Sequence, residues 1–131
     1  MGVRCHEHLI CWQLSAEFRD QVNALLATPR FRGRFKYCDQ LQEAAESVPA
    51  NIAEGFYRFT HPEIARFFGI ALGSLGESLT RLGSARAQNL ISDEEHKQLR
   101  RLAARARGAI TSFLNYLRTT ETPTPGKRSR T

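Results

Sequence analysis

Residues 60–89, THPEIARFFGIALGSLGESLTRLGSARAQN, decide the fold class. Thr60 is a capping residue, Pro62 suits a first helical turn, and Glu63 is placed to complete a capping box with Thr60. From there Ile64, Phe68, Ala71, Leu72, Leu75, Leu79 and Leu82 recur at steps of three and four, which makes one apolar helical stripe. A helix ending near Asn89 would be about 40 Å long, at about 1.5 Å per residue. The same stretch holds a second pattern. Gly69, Gly73, Gly76, Thr80, Gly83 and Ala87 alternate steps of four and three, off the centre of the large apolar stripe. A glycine inside a helix costs up to ~1 kcal/mol relative to alanine. Four of them in one seam imply close approach of another backbone. One candidate lies within the bundle, against Ala44 and Gly55. The other is a second subunit, which we prefer because a four-helix monomer needs only one buried stripe per helix.

Outward from this helix the pattern repeats. A helix after Ser92, with Glu95 three residues on, carries Leu99, Leu102, Ala106, Ile110, Phe113 and Leu117. Before it, residues 7–27 carry Cys11, Leu14, Phe18, Val22 and Leu25, and Thr28-Pro29 ends that run. Residues 35–57 carry Leu41, Ala45, Val48, Ile52 and Phe56, with Pro49 inside, where an internal proline is expected to kink the helix at a cost of ~3 kcal/mol. No strand-like alternation of any length occurs. Four amphipathic helices on short loops predict an all-α, antiparallel up-down four-helix bundle over residues 1–118. Residues 119–131, rich in Thr, Pro and basic residues, are expected to form a disordered basic tail.

At 131 residues, folding buries roughly two-thirds of the chain's surface, enough for a core without staples. No apolar run approaches the ~18 residues that span a bilayer. Cys5, Cys11 and Cys38 are odd in number and suit reduced thiols in a cytoplasmic protein. The net charge is +6, and sixteen of the nineteen basic residues are arginine. Arginine's planar fork matches phosphate, although the bias reads equally well as genome composition. Arg30, Arg32, Arg34 and Lys36 form a loop cluster, and Lys127, Arg128 and Arg130 lie in the tail, none with acidic neighbours in sequence. These are the preferred contacts to nucleic acid. Arg100, Arg101 and Arg105, with Lys97 and Arg107, stand outside the fourth helix's stripe. They either meet phosphate, or pair with Asp39, Glu43 and Glu46 of the second helix in the same or a neighbouring subunit, or are solvated. Trp12 stands off the first helix's stripe and is assigned, with Gly69, Gly73, Gly76 and Gly83, to an oligomer interface.

Catalytic and metal chemistry find little support. Cys5, His6, His8 and Cys11 are zinc-compatible types, but their spacing matches no established site and Cys11 falls on the buried stripe. A di-iron bundle needs two Glu-x-x-His pairs, and the chain has only Asp93-x-x-His96. There is no glycine-rich phosphate loop and no nucleophile elbow. The expectation is a non-enzyme without cofactor, metal or small-molecule substrate.

One string remains. Ala44-Ala45-Glu46-Ser47-Val48-Pro49-Ala50-Asn51-Ile52-Ala53-Glu54-Gly55, followed by Arg58, together with Phe67-Phe68-Gly69-Ile70-Ala71-Leu72-Gly73-Ser74-Leu75, Glu77 and Trp12, resembles the four-helix-bundle proteins encoded in intervening sequences of large-subunit ribosomal RNA genes. The accessory proteins of diversity-generating retroelements are related to them. The resemblance spans about residues 9–118. It implies an antiparallel bundle that forms a cyclic homopentamer, and an association with RNA or a reverse-transcriptase-type nucleoprotein. It also marks a departure: Gln42 and Glu43 stand where such proteins usually carry arginine, and Glu46 replaces an apolar residue. That leaves a protein-interaction scaffold without nucleic-acid binding as the alternative function. The string has a local reading too. Pro49 deprives the Ala45 carbonyl of its helical donor, Ser47 and Asn51 lie close enough to help satisfy the kink, Glu54 can pair with Arg58, and Gly55 lets the third helix approach.

Overall fold

The computed structural model describes residues 3–120, in which helices are joined by short turns, with no strand among the described residues. The four helices are α1 (Ile10–Leu26), α2 (Phe35–Phe56), α3 (His61–Ala87) and α4 (Asp93–Thr119). α1 packs on α2, α2 on α3, α3 on α4, and α4 back on α1. The helices therefore occupy the corners of a square in chain order, and short connections make each neighbour antiparallel. α2 and α4 take opposite corners. One end of the bundle gathers the start of α1, the α2–α3 turn and the end of α4. The other gathers the α1–α2 and α3–α4 connections.

The stripes read from the sequence form one core. Phe18 and Val22 of α1, Leu41, Ala45, Val48 and Ile52 of α2, Phe68, Ala71, Leu75 and Leu82 of α3, and Ala103, Ala106 and Ile110 of α4 are fully buried. Phe68 stacks on Phe113 across α3 and α4 at 4.9 Å between ring centres. Each large side chain so buried stabilises the fold by about 1.5–3 kcal/mol before entropy is counted. Phe56, at the end of its stripe, and Phe113 are only partly buried.

Local signals set the boundaries. The Ser92 side chain accepts from the Glu95 N–H at 3.0 Å, and the Glu95 carboxylate accepts from the Ser92 N–H at 2.8 Å, which closes a capping box on α4. On α3 only half the expected box forms. Thr60 accepts from the Glu63 N–H at 3.3 Å, but its hydroxyl also lies 3.4 Å from the Glu63 carboxylate, so the two side chains meet each other. Beyond the last helical residue, Ala87, Asn89 takes the left-handed region at φ 61 and stops α3. The N–H of Leu90 then reaches the Ala85 carbonyl (2.9 Å) and that of Asn89 the Arg86 carbonyl (3.0 Å), a Schellman closure that buries Leu90.

Two boundaries differ from expectation. The first helix does not run from Glu7: residues His6–His8 make a 3-10 turn, and Leu9 is extended before α1 begins. This break buries Leu9, and the freed Glu7 carbonyl accepts from the Gln13 side chain at 2.9 Å. The α1–α2 connection is more structured than an open basic loop. Pro29–Phe31 form a 3-10 turn that buries Phe31 against the Tyr37 ring, and Gly33, at φ 83, turns the chain into α2.

Candidate nucleic-acid interface

The α4 stripe of Leu99, Leu102, Ala103, Ala106, Ile110 and Leu117 faces the core. By the helical period, Lys97, Arg100, Arg101, Arg105 and Arg107 must then face outward, and all five are exposed. No ion pair or side-chain hydrogen bond engages any of them among the described residues. Asp39, Glu43 and Glu46 are exposed on α2. Because α2 occupies the opposite corner, pairing of the α4 arginines with helix two of the same subunit is excluded. The chain is thus electrically lopsided, basic along α4 and acidic along α2. His96, on the same helix, is pushed below its ordinary range by partial desolvation and then by Arg86 and Arg100.

The loop cluster requires a correction. Arg30 is not without an acidic partner: it grips Glu95 through two hydrogen bonds of 2.7 and 2.9 Å, a fork-to-carboxylate pair. Glu95 also caps α4, and these bonds hold its carboxyl down to about 2. Arg34 donates to the Gln88 side chain at 3.3 Å. Arg32 and Lys36 remain exposed and have no side-chain partner among the described residues. The sequence concealed this pairing because Arg30 and Glu95 are 65 positions apart. The consequence is that the loop is clamped to the start of α4, at the end of the bundle where Lys97, Arg100 and Arg101 stand. Lys127, Arg128 and Arg130 lie outside the described residues.

The glycine seam of α3 does not contact α2. A Cβ placed on Gly69, Gly73, Gly76 or Gly83 meets no atom within 4 Å. Within a single subunit the seam is therefore open, and the reading that it serves a tight contact inside the bundle is overturned. Gly69 borders a groove of about 500 Å³ with Leu114, Leu117 and Arg118 of α4. Trp12 is half-buried at the edge of the core, beside a second groove of about 410 Å³ lined by Arg19, Asn23, Glu46 and Pro49.

The close approach of α3 to α2 falls on the Ser47–Gly55 string instead. A Cβ on Gly55 would lie 2.6 Å from the Phe67 Cβ, so no larger residue fits without movement. Ser74 of α3 donates to the Ser47 hydroxyl at 2.7 Å. Asn51 donates to that hydroxyl (2.9 Å) and to the Ser47 carbonyl (2.8 Å). Asn51 thus serves the Ser47 carbonyl, one turn back, and α2 runs through the buried Pro49 without ending. Glu54 and Arg58 pair at 2.6 Å as their spacing predicts. Ser47, Gly55 and Arg58 therefore meet α3 of the same subunit, while Asn51 and Glu54 make contacts local to their own stretch of chain, and none of the string is presented as a reactive group.

The thiols and imidazoles of the N-terminal cluster separate. Cys11 is buried and its thiol is pushed up to about 11 by desolvation, which makes it unreactive near neutrality. His6 faces Tyr57, whose hydroxyl lies 3.1 Å from the ring Nδ1 and accepts from the His6 backbone N–H at 3.2 Å. No group of three or more His, Cys, Asp or Glu side chains gathers in a metal-binding arrangement among the described residues. No helix among them is long and apolar enough to cross a membrane.

Residues 7–112 match the model of the 23S rRNA-intervening sequence protein family, which is most of the chain. Comparison with curated proteins returns no match.

Proposed function

From the premise that the chain belongs to the 23S rRNA-intervening sequence protein family, we propose that it is a non-catalytic, self-associating bundle of the cytoplasm that binds structured RNA or a ribonucleoprotein through the outer face of α4. One observation carries the reading: Arg100, Arg101, Arg105 and Arg107 are exposed along one helix without an acidic partner among the described residues. Arginine fans of this kind contact phosphate without reading sequence. The Arg30–Glu95 clamp supports it by fixing Arg32 and Lys36 at the same end of the bundle.

Self-association rests on the open seam of α3. Four glycines are costly along a face of α3 that nothing within the subunit approaches. A second copy laid along Gly69, Gly73, Gly76 and Gly83 accounts for them, and the family resemblance favours a closed ring of five. The lopsided charge suits a head-to-tail contact, in which unlike surfaces meet and rotation closes the ring.

The test is a titration of a structured, labelled RNA hairpin by fluorescence polarisation at 50 and 200 mM salt. Phosphate binding through several arginines must weaken steeply over that range as counterions are released. Absence of salt-sensitive binding at the lower concentration would remove the RNA reading. The acidic outer face of α2 favours the alternative, a protein scaffold. Capture of a stable protein partner that survives nuclease treatment would support that alternative instead.

A further inference from the structure

Four of the large apolar side chains most exposed to solvent gather at one end of the bundle: Phe59 (70% exposed), Ile10 (67%), Tyr57 (56%) and Tyr116 (47%). They come from the start of α1, the α2–α3 turn and the end of α4, which the antiparallel topology brings together. The rings there are ordered. Trp12 meets His6 edge-on at 5.1 Å, His6 meets Tyr57 at 5.8 Å, and Tyr57 meets Phe56 at 4.9 Å. Beside them two guanidinium groups, Arg58 and Arg66, lie over the Phe67 ring at 4.7 and 4.5 Å from its centre. Arg58 is already paired with Glu54, so Arg66, which has no acidic partner among the described residues, is the cation left for phosphate, and Glu63 is engaged with Thr60 at the start of α3.

Exposed rings interleaved with flat cations are the chemistry that takes unpaired bases: each base has a π-face to stack, and its phosphate finds the guanidinium. A-form duplex offers no such faces, since its bases are already stacked. We infer that this end of the bundle, centred on Tyr57 and Phe59, is a stacking platform for single-stranded RNA, distinct from the duplex-compatible arginine face of α4. The inference rests on the RNA reading above and gives it a division of labour, with α4 holding folded regions and the ring-bearing end holding an unpaired flank.

The experiment compares two probes on the full chain: an oligo-uridine strand of about twelve nucleotides, and an A-form RNA duplex of similar length. Phe59→Ala is expected to weaken single-strand binding five-fold or more while duplex affinity stays within two-fold. Tyr57→Ala is expected to do the same, and circular dichroism confirms that each variant is folded. Trp12 is the single tryptophan and touches this ring chain through His6, so its emission should change on adding the single strand and not the duplex. Unchanged single-strand affinity in both variants overturns the platform while leaving RNA binding by α4 intact. Loss of oligomer mass in light scattering with RNA affinity unchanged also overturns it, in favour of a contact between copies. If the wild-type chain binds neither probe, the RNA reading itself fails and the platform with it.

Discussion

Gly55 and Glu95 show how single residues are held to account by their surroundings. Gly55 sits where α3 presses on α2, and an added methyl would face the Phe67 Cβ at 2.6 Å. A helix interior normally rewards Gly→Ala by up to ~1 kcal/mol. Here backbone and Cβ atoms would have to move, which typically costs about 1–3 kcal/mol. Gly55→Ala should therefore lower the urea midpoint, and a raised midpoint would mean that the two helices separate at little cost. Glu95 carries the second case. Its carboxyl titrates at about 2 in the folded chain against an ordinary 4.5. A depressed folded value means that the unfolded chain binds the proton more readily. The stabilisation is then fully present above about pH 4.5 and is lost as pH falls toward 2. The group is more than a third exposed, so solvent screening keeps the pair's worth near the surface range of ~0.2–1 kcal/mol. Glu95→Gln should flatten the acid limb of a Tm-against-pH curve in that window, and a limb identical to wild type would show that the clamp does not couple to folding.

Among the elements, α3 was the most legible in sequence and its glycines the most ambiguous. Thr60, Ser92 and the stripes placed α2, α3 and α4 to within a residue or two of their observed ends, because caps and apolar period act locally. The start of α1 was misread, since the break at Leu9 serves a burial that only tertiary packing defines. The Arg30–Glu95 clamp and the Tyr57–His6 contact join segments 65 and 51 positions apart, and no local pattern encodes such meetings. A tyrosine, an arginine and a phenylalanine in succession at 57–59 were the one available hint of the ring-bearing end. The seam could be read as a stripe of small residues but not assigned to a neighbour. Once its Cβ positions are seen to meet nothing within the subunit, a sharper test exists. Gly73→Leu and Gly76→Leu cost the subunit no packing and improve helix propensity by up to ~1 kcal/mol. Each variant should stay folded, with unfolding midpoint at low protein concentration equal to or above wild type, while its mass in light scattering falls to that of the monomer. Retention of the wild-type mass would remove α3 from the interface.

At the scale of the whole molecule the decisive feature is the separation of charge, with arginines along α4 and carboxylates along α2 on opposite corners of the square. A net charge of +6 is modest, but binding responds to local density more than to the sum. Four arginines within about two turns of one helix make a dense strip, and the acidic corner keeps an approaching polyanion off the far side. The protein should therefore bind RNA in one orientation and not as a diffuse cation. Counterion release makes this measurable: each phosphate neutralised contributes about 0.7–0.9 to the slope of log K against log salt. Replacing Arg100, Arg101 and Arg105 together by Gln should reduce that slope by roughly two to three for a duplex probe. The same number of substitutions among the clamped or paired arginines (Arg30, Arg81 and Arg86) should reduce it far less, because their charge is already matched by Glu95, Glu77 and Asp93. Equal losses from the two sets would mean that RNA responds only to total charge, and the strip along α4 would have no special part in binding.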